Sequence, residues 1–161
     1  MGKRAYLFDM DGVLVDNCRY HVLSWLEFAK RRGGRLTEAQ VVEWMGAPGR
    51  DYIVRMFDEP MPPDRVEALL AEKEAIYREL YRPALQTRKG LLGFLEGAKK
   101  ANVPCAVVTG GPTENVDFVL DGLRFSMLLL TSSSIFSLTP FGFLRLNPSR
   151  FRSPRFGSRF F

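Results

Sequence analysis

The sequence is short of the residues that several kinds of site require. It holds two cysteines, Cys18 and Cys105, and a single histidine, His21. Two cysteines without metal-ligand spacing build neither a disulfide framework nor a zinc cluster, so both are expected as reduced structural thiols. No apolar run approaches the roughly 18 residues that a membrane span needs; residues 127–130, for example, form a run of four. The basic residues 1–6 give way to Asp9 and Asp11 before a secretory hydrophobic region develops, and a cytoplasmic protein is expected. Residues 125–161 contain no Asp, Glu or Lys, while Arg145, Arg150, Arg152, Arg155 and Arg159 supply the whole formal charge of +5. The remainder balances 18 basic against 18 acidic residues, so basicity describes the tail and points to no specific nucleic-acid partner. What is present, 46% hydrophobic and 25% charged residues over 161 positions, suits a globular chain of about one domain.

The apolar run Ala5-Tyr6-Leu7-Phe8 ends at Asp9, as expected of a buried strand that opens into a loop. From Asn17 to about Arg32 the pattern turns helical, and further helices are expected near 37–45, 51–57 and 63–80. The last has Pro63 and Asp64 in its first turn, with Val66, Leu69, Leu70, Ile76, Tyr77 and Leu80 on one stripe. After Arg82-Pro83 a helix is expected over about 90–101, a strand over 105–108, the loop Thr109-Gly110-Gly111-Pro112 and a helix to Leu123. The fold class expected is α/β, a Rossmann-like parallel sheet core interrupted after its first strand by an all-helical insert.

Asp9 and Asp11 stand just past the end of the first strand, where ligands bind in open α/β sheets. In extended backbone, carboxylates at alternate positions converge on one side, and Gly12 lets the chain bend away. One carboxylate can bind a cation and attack while the other handles a proton; the competing reading is a solvated acidic turn. An EF-hand loop is excluded, because its sixth and twelfth positions fall on Leu14 and Tyr20.

The longer string Leu7-Phe8-Asp9-Met10-Asp11-Gly12-Val13-Leu14-Val15-Asp16, followed by a helical insert, resembles the first motif of the haloacid dehalogenase superfamily. It is most similar to the helical-cap subgroup of β-phosphoglucomutase-like and phosphoglycolate-phosphatase-like enzymes, over about residues 4–124. The resemblance implies a core of residues 1–16 and 83–124 around a cap of 17–82. It makes Asp9 the nucleophile that forms an aspartyl-phosphate, and Asp11 the acid and then the base. It also implies Mg²⁺, held by the Asp9 carboxylate and the Asp11 backbone carbonyl, and a small phosphorylated metabolite as substrate of a monomeric phosphatase or phosphomutase. An aspartate at position 11 favours phosphate chemistry over carbon–halogen chemistry.

Thr109, with Gly110 after it and a helix to follow, looks like the second motif and is expected to bind phosphate; a plain helix cap is the competing reading. In the cap, the spacing of His21 after Asp16 and the stretch Gly46-Ala47-Pro48-Gly49-Arg50 resemble segments that meet substrate. His21 as a packing residue and Arg50 on a solvated helix start are the alternatives. Trp25, Phe28 and Trp44 are expected in the cap core.

The pattern stops there. A complete member has a lysine and further acidic residues after the threonine loop, whereas the last lysine here is Lys100 and the last acidic residue Asp121. Residues 125–161 hold 8 of the 13 phenylalanines and 8 serines without lasting periodicity, so no element is expected after about Leu130. The core is therefore expected to be incomplete at its C-terminus. The simplest reading of this tail is a shifted frame or a truncated gene, leaving it aberrant or disordered. The competing functional class is a catalytically inactive remnant whose basic, aromatic tail binds RNA or an anionic membrane non-specifically.

Overall fold

The computed structural model describes residues 5–123, 136–138 and 144–146. Strand β1 (Tyr6–Phe8) lies parallel to β2 (Cys105–Thr109), with Tyr6 opposite Cys105 and Phe8 opposite Val107. Parallel neighbours require a crossover, and this one carries α1 (Cys18–Arg31), α2 (Glu38–Glu43), α3 (Gly49–Phe57), α4 (Pro63–Tyr81), a 3-10 turn (Arg82–Ala84) and α5 (Leu91–Lys100). Helix α6 (Thr113–Gly122) follows β2. The expected α/β core with an all-helical insert is thus present, each helix within a few residues of its expected bounds. None of the described helices is long and apolar enough to cross a membrane.

Two points differ from the sequence reading. The expected buried first strand is not buried: Tyr6 is 43% and Leu7 67% exposed. Among the described residues β1 has a hydrogen-bonded neighbour on one side alone, which leaves its second edge uncovered. Beyond Leu130, where no element is expected, β3 (Phe136–Leu138) runs parallel to β2 and β4 (Leu144–Leu146) antiparallel to β3. Strands of three residues hold too few alternations for periodicity to show. The rest of the 125–161 tail, and the readings made of it, lie outside the described residues.

Local chemistry fixes the helix ends. Thr37 and Gln40 form a reciprocal capping box at α2. Pro63 opens α4 at a position where its missing N–H costs nothing. Lys30 and Arg31 stand in the last turn of α1, where cations oppose the negative end of the helix dipole. The insert then closes over its own core of Val22, Trp25, Phe28, Val41, Tyr52, Ile53, Val66, Leu69 and Ile76. Trp25 and Phe28 are buried as expected, and Trp44 packs against this cluster half-buried.

Helix α4 belongs to both cores. Its N-terminal half packs in the insert, whereas Tyr77 and Tyr81 are buried with Met10, Leu14, Leu95, Val107 and Val119 beside the sheet. Each such buried aromatic contributes on the order of 1.5–3 kcal/mol. The single helix therefore anchors the insert to the sheet, and the residues at its midpoint stand at the junction.

Candidate active site

The junction holds the Asp9–Gly12 turn. Gly12 takes a φ of 75°, and a Cβ there would meet Cys18 Sγ at 3.2 Å, so only glycine suits the bend that carries the chain from β1 towards α1. Asp9 is exposed at the end of β1, and its Oδ1 accepts the Met10 N–H at 2.8 Å. Asp11 is half-buried and far more constrained. Its Oδ1 accepts from Asn17 Nδ2 at 2.6 Å and lies 3.7 Å from His21 Nε2. Its Oδ2 faces the other way, 4.0 Å from the place a Cβ on Gly111 would occupy. That same Cβ would lie 3.4 Å from Thr109 Oγ1, and the Gly111 N–H donates to this oxygen at 3.1 Å. The first turn and the Thr109–Pro112 loop therefore meet at Asp11.

Behind Asp11 the polar groups form a chain across the junction. His21 stacks on Tyr77, with ring centroids 4.0 Å apart and planes within 7°. Lys73 Nζ lies 3.2 Å from His21 Nδ1 and donates to Glu74 Oε1 at 2.9 Å. Glu74 Oε2 accepts from Asn115 Nδ2 at 2.7 Å, and Asn115 Oδ1 accepts from Arg78 at 2.7 Å, which ties α4 to α6. An ammonium has donors only, so with Lys73 charged Nδ1 accepts and the ring proton sits on Nε2, directed at Asp11.

Electrostatics follow this geometry. Burial alone would push the Asp11 carboxyl up, but the His21 ring 3.7 Å from Oδ1, the hydrogen bond from Asn17 and the nearby charge of Lys73 together hold it below the ordinary carboxylate value. Burial pushes the Lys73 ammonium down, opposed by the Glu74 carboxylate. Lys73 keeps a favourable environment through the faces of Trp25, 5.0 Å away, and Tyr77, 5.9 Å away.

Of the residues singled out from the sequence, the structure brings Asp11, His21, Thr109 and the Gly110-Gly111 turn together, with Asp9 two residues before Asp11. Arg50, at the start of α3, instead forms an exposed ion pair with Glu67 at 3.8 Å and has no contact to the Asp11 group among its recorded partners. Three residues went unread. Lys73 could have been noticed as a lysine on the apolar stripe of α4. Asn17 carries no such signal, because its partners lie up to 60 residues away. Arg88, from the return segment, donates to the Gly12 carbonyl at 3.1 and 3.0 Å and to Asp16 at 2.9 Å, clasping the two connections between sheet and insert.

Known proteins are similar to this chain over about three quarters of its length. The profile of the haloacid dehalogenase-like hydrolases matches residues 6–129. An uncharacterized protein of Haemophilus influenzae is 31% identical over 74% of this chain and 60% of its own length. Validoxylamine A 7'-phosphate phosphatase of Streptomyces hygroscopicus subsp. limoneus is 25% identical over 78% of this chain and 59% of its own. The crystal structure of a HAD hydrolase, family IA, variant 3, from Entamoeba histolytica superposes with a TM-score of 0.73 at 25% identity, over 78% of this chain and 57% of that one. The chain thus spans about 60% of the length of the curated relatives it matches.

Proposed function

Because the chain belongs to the haloacid dehalogenase-like hydrolase family, we propose that it transfers the phosphoryl group of a small phosphorylated metabolite by way of Asp9. The observation that carries this reading is the meeting of two segments, the Asp11 Oδ2 and Thr109 Oγ1 both lying within 4.0 Å of one point at Gly111. An anion there would have the Thr109 hydroxyl as a donor, its oxygen already accepting from Gly111, and the N-terminus of the ten-residue helix α6 beneath it. A relative named as a phosphatase of validoxylamine A 7'-phosphate supports a small phosphate ester as the substrate class.

In this mechanism the exposed Asp9 carboxylate attacks phosphorus and becomes an aspartyl-phosphate, splitting one slow displacement into two easier ones. The departing oxygen takes a proton from Asp11 Oδ2. In the second half Asp11, now a carboxylate, accepts a proton from the water, or from the second hydroxyl in a mutase, that attacks the phosphoryl group. In the free protein Asp11 is favoured as the carboxylate, the form the second half needs, and an incoming phosphate dianion favours the protonated form that the first half needs. The donors fit Mg²⁺: the Asp9 carboxylate is an exposed hard oxygen at the strand tip, and the Asp11 backbone carbonyl is a second. The described residues contain no cluster of three metal-ligating side chains, so an ion held by these two oxygens would keep several waters. When bound, it would screen the repulsion between the carboxylate and the phosphate. Of the two cap residues, Arg50 is proposed to face the remainder of the substrate, while His21 stands behind Asp11 on its Oδ1 side; a cytoplasmic setting accords with such a substrate.

One observation favours a second reading, a catalytically inactive chain: no lysine follows Lys100 and no acidic residue follows Asp121. Assay of the full chain with p-nitrophenyl phosphate and Mg²⁺ separates the two. Phosphate release that disappears in Asp9→Asn supports the enzyme; folded protein without turnover supports the inactive chain.

A further inference from the structure

Asn17 is fully buried at the head of α1, and every polar atom of its side chain is used. The amide oxygen accepts the Gly12 N–H at 3.2 Å, while Nδ2 donates to Asp11 Oδ1 at 2.6 Å and to the Tyr77 hydroxyl at 2.7 Å. This orientation of the amide is forced. The Gly12 N–H can only donate, so the oxygen must face it, and the nitrogen is left for the carboxylate. The 3.5 Å approach of Nδ2 to His21 Nε2 is then a contact without a third proton to share.

A carboxyl group has two oxygens, and the two of Asp11 lie in different surroundings. Oδ1 meets donors, the Asn17 amide and the His21 ring, which favour a bare oxygen there. Oδ2 is turned to the Thr109–Gly111 loop. A proton on Asp11 is therefore directed to Oδ2, the oxygen that faces the proposed phosphate position. We propose that Asn17 is the positioning residue of the proton donor: it pins Oδ1 and so aims Oδ2 at the leaving oxygen of the substrate. The amide also joins three elements, the Asp9–Gly12 turn, α1 and α4, so the aim of Asp11 is set where sheet and insert meet. This rests on the phosphoryl-transfer reading above.

The step that needs aim is proton delivery. An alkyl phosphate leaves as a strongly basic alkoxide and depends on the donor, whereas p-nitrophenolate departs without a proton. General acid catalysis is worth about 10²–10⁴-fold in rate. The experiment compares kcat/KM, which reports the steps up to release of the leaving group, for both esters in the full chain, in Asn17→Ala and in Asn17→Asp. The second variant nearly preserves volume and keeps the acceptor for Gly12, so it guards against a simple loss of folding. Both variants are expected to lose about 100-fold or more in kcat/KM on the alkyl ester and to keep kcat/KM for p-nitrophenyl phosphate within about fivefold, the shared second half affecting kcat for both. Equal losses on the two esters, or Asn17→Asp retaining alkyl ester turnover, overturn the assignment and leave Asn17 as a backbone cap. Absence of turnover in the unsubstituted chain overturns the enzymatic reading instead, and the role in holding Asp11 is then read from nitrogen-15 spectra. The Asn17 side-chain amide is expected to be protected from solvent exchange and to shift in Asp11→Asn; a freely exchanging amide overturns it.

Discussion

Lys73 Nζ lies 3.2 Å from His21 Nδ1, joining two helices whose residues are 52 positions apart in sequence. The lysine is 2% exposed, and three things keep it there: the Glu74 carboxylate, the face of Trp25 and the histidine. Removing one member of a buried ion pair costs about 3–5 kcal/mol, whereas filling the space with an apolar chain of similar length costs less. Lys73→Ala is expected near that range, and Lys73→Met at about 1–3 kcal/mol, the cost of leaving a polar partner short of one bond. Urea unfolding of the full chain measures both; losses typical of a surface lysine in the two variants would contradict the buried arrangement.

The Asp11 carboxyl, held below its usual value near 3.8, makes stability fall in acid. A carboxyl with a depressed folded-state pKa contributes stability that is complete above the unfolded value and is lost as pH falls through the folded one. Unfolding free energy should thus decline below about pH 4, and Asp11→Asn should flatten the decline. For Lys73 the unfolded chain binds its proton more readily, so its contribution rises with pH towards 10.5, and Lys73→Met removes that rise. Unfolding midpoints across pH, compared between chain and variant, read out both slopes.

Gly111 is a tight point on the loop side of the site. A methyl group there would stand 3.3 Å from Met10 Cε and 3.4 Å from Thr109 Oγ1, and it would project towards Asp11 Oδ2. The φ of Gly111 lies outside the left-handed region, so alanine is tolerated by the backbone. Gly111→Ala is expected to raise KM for a phosphate ester by about tenfold, the worth of about 1.4 kcal/mol, with a melting temperature within a few degrees of the parent. An unchanged KM would place the phosphate elsewhere.

The insert was legible because each of its helices is a local pattern: the stripe of Val66, Leu69, Ile76 and Tyr77 repeats every three or four residues and is buried as a face. Asp9, Asp11 and the Thr109 loop were legible for a similar reason, each being a short contiguous signature at the end of a strand. Asn17 and Lys73 were not. Their importance lies in contacts with Tyr77 and His21 made only when α1 and α4 pack, and neither residue differs locally from an ordinary helix start or a solvated lysine. The exposure of Leu7 was hidden likewise, because an apolar run signals the wish for burial and says nothing of whether a neighbouring strand is present.

The central claim is that Asp9 accepts a phosphoryl group. The most direct measurement is peptide mass spectrometry on the full chain, acid-quenched during reaction with a phosphate ester and Mg²⁺. The account predicts one phosphoryl adduct on the peptide that bears Asp9, absent from Asp9→Asn. Turnover accompanied by an adduct on any other side chain would contradict it.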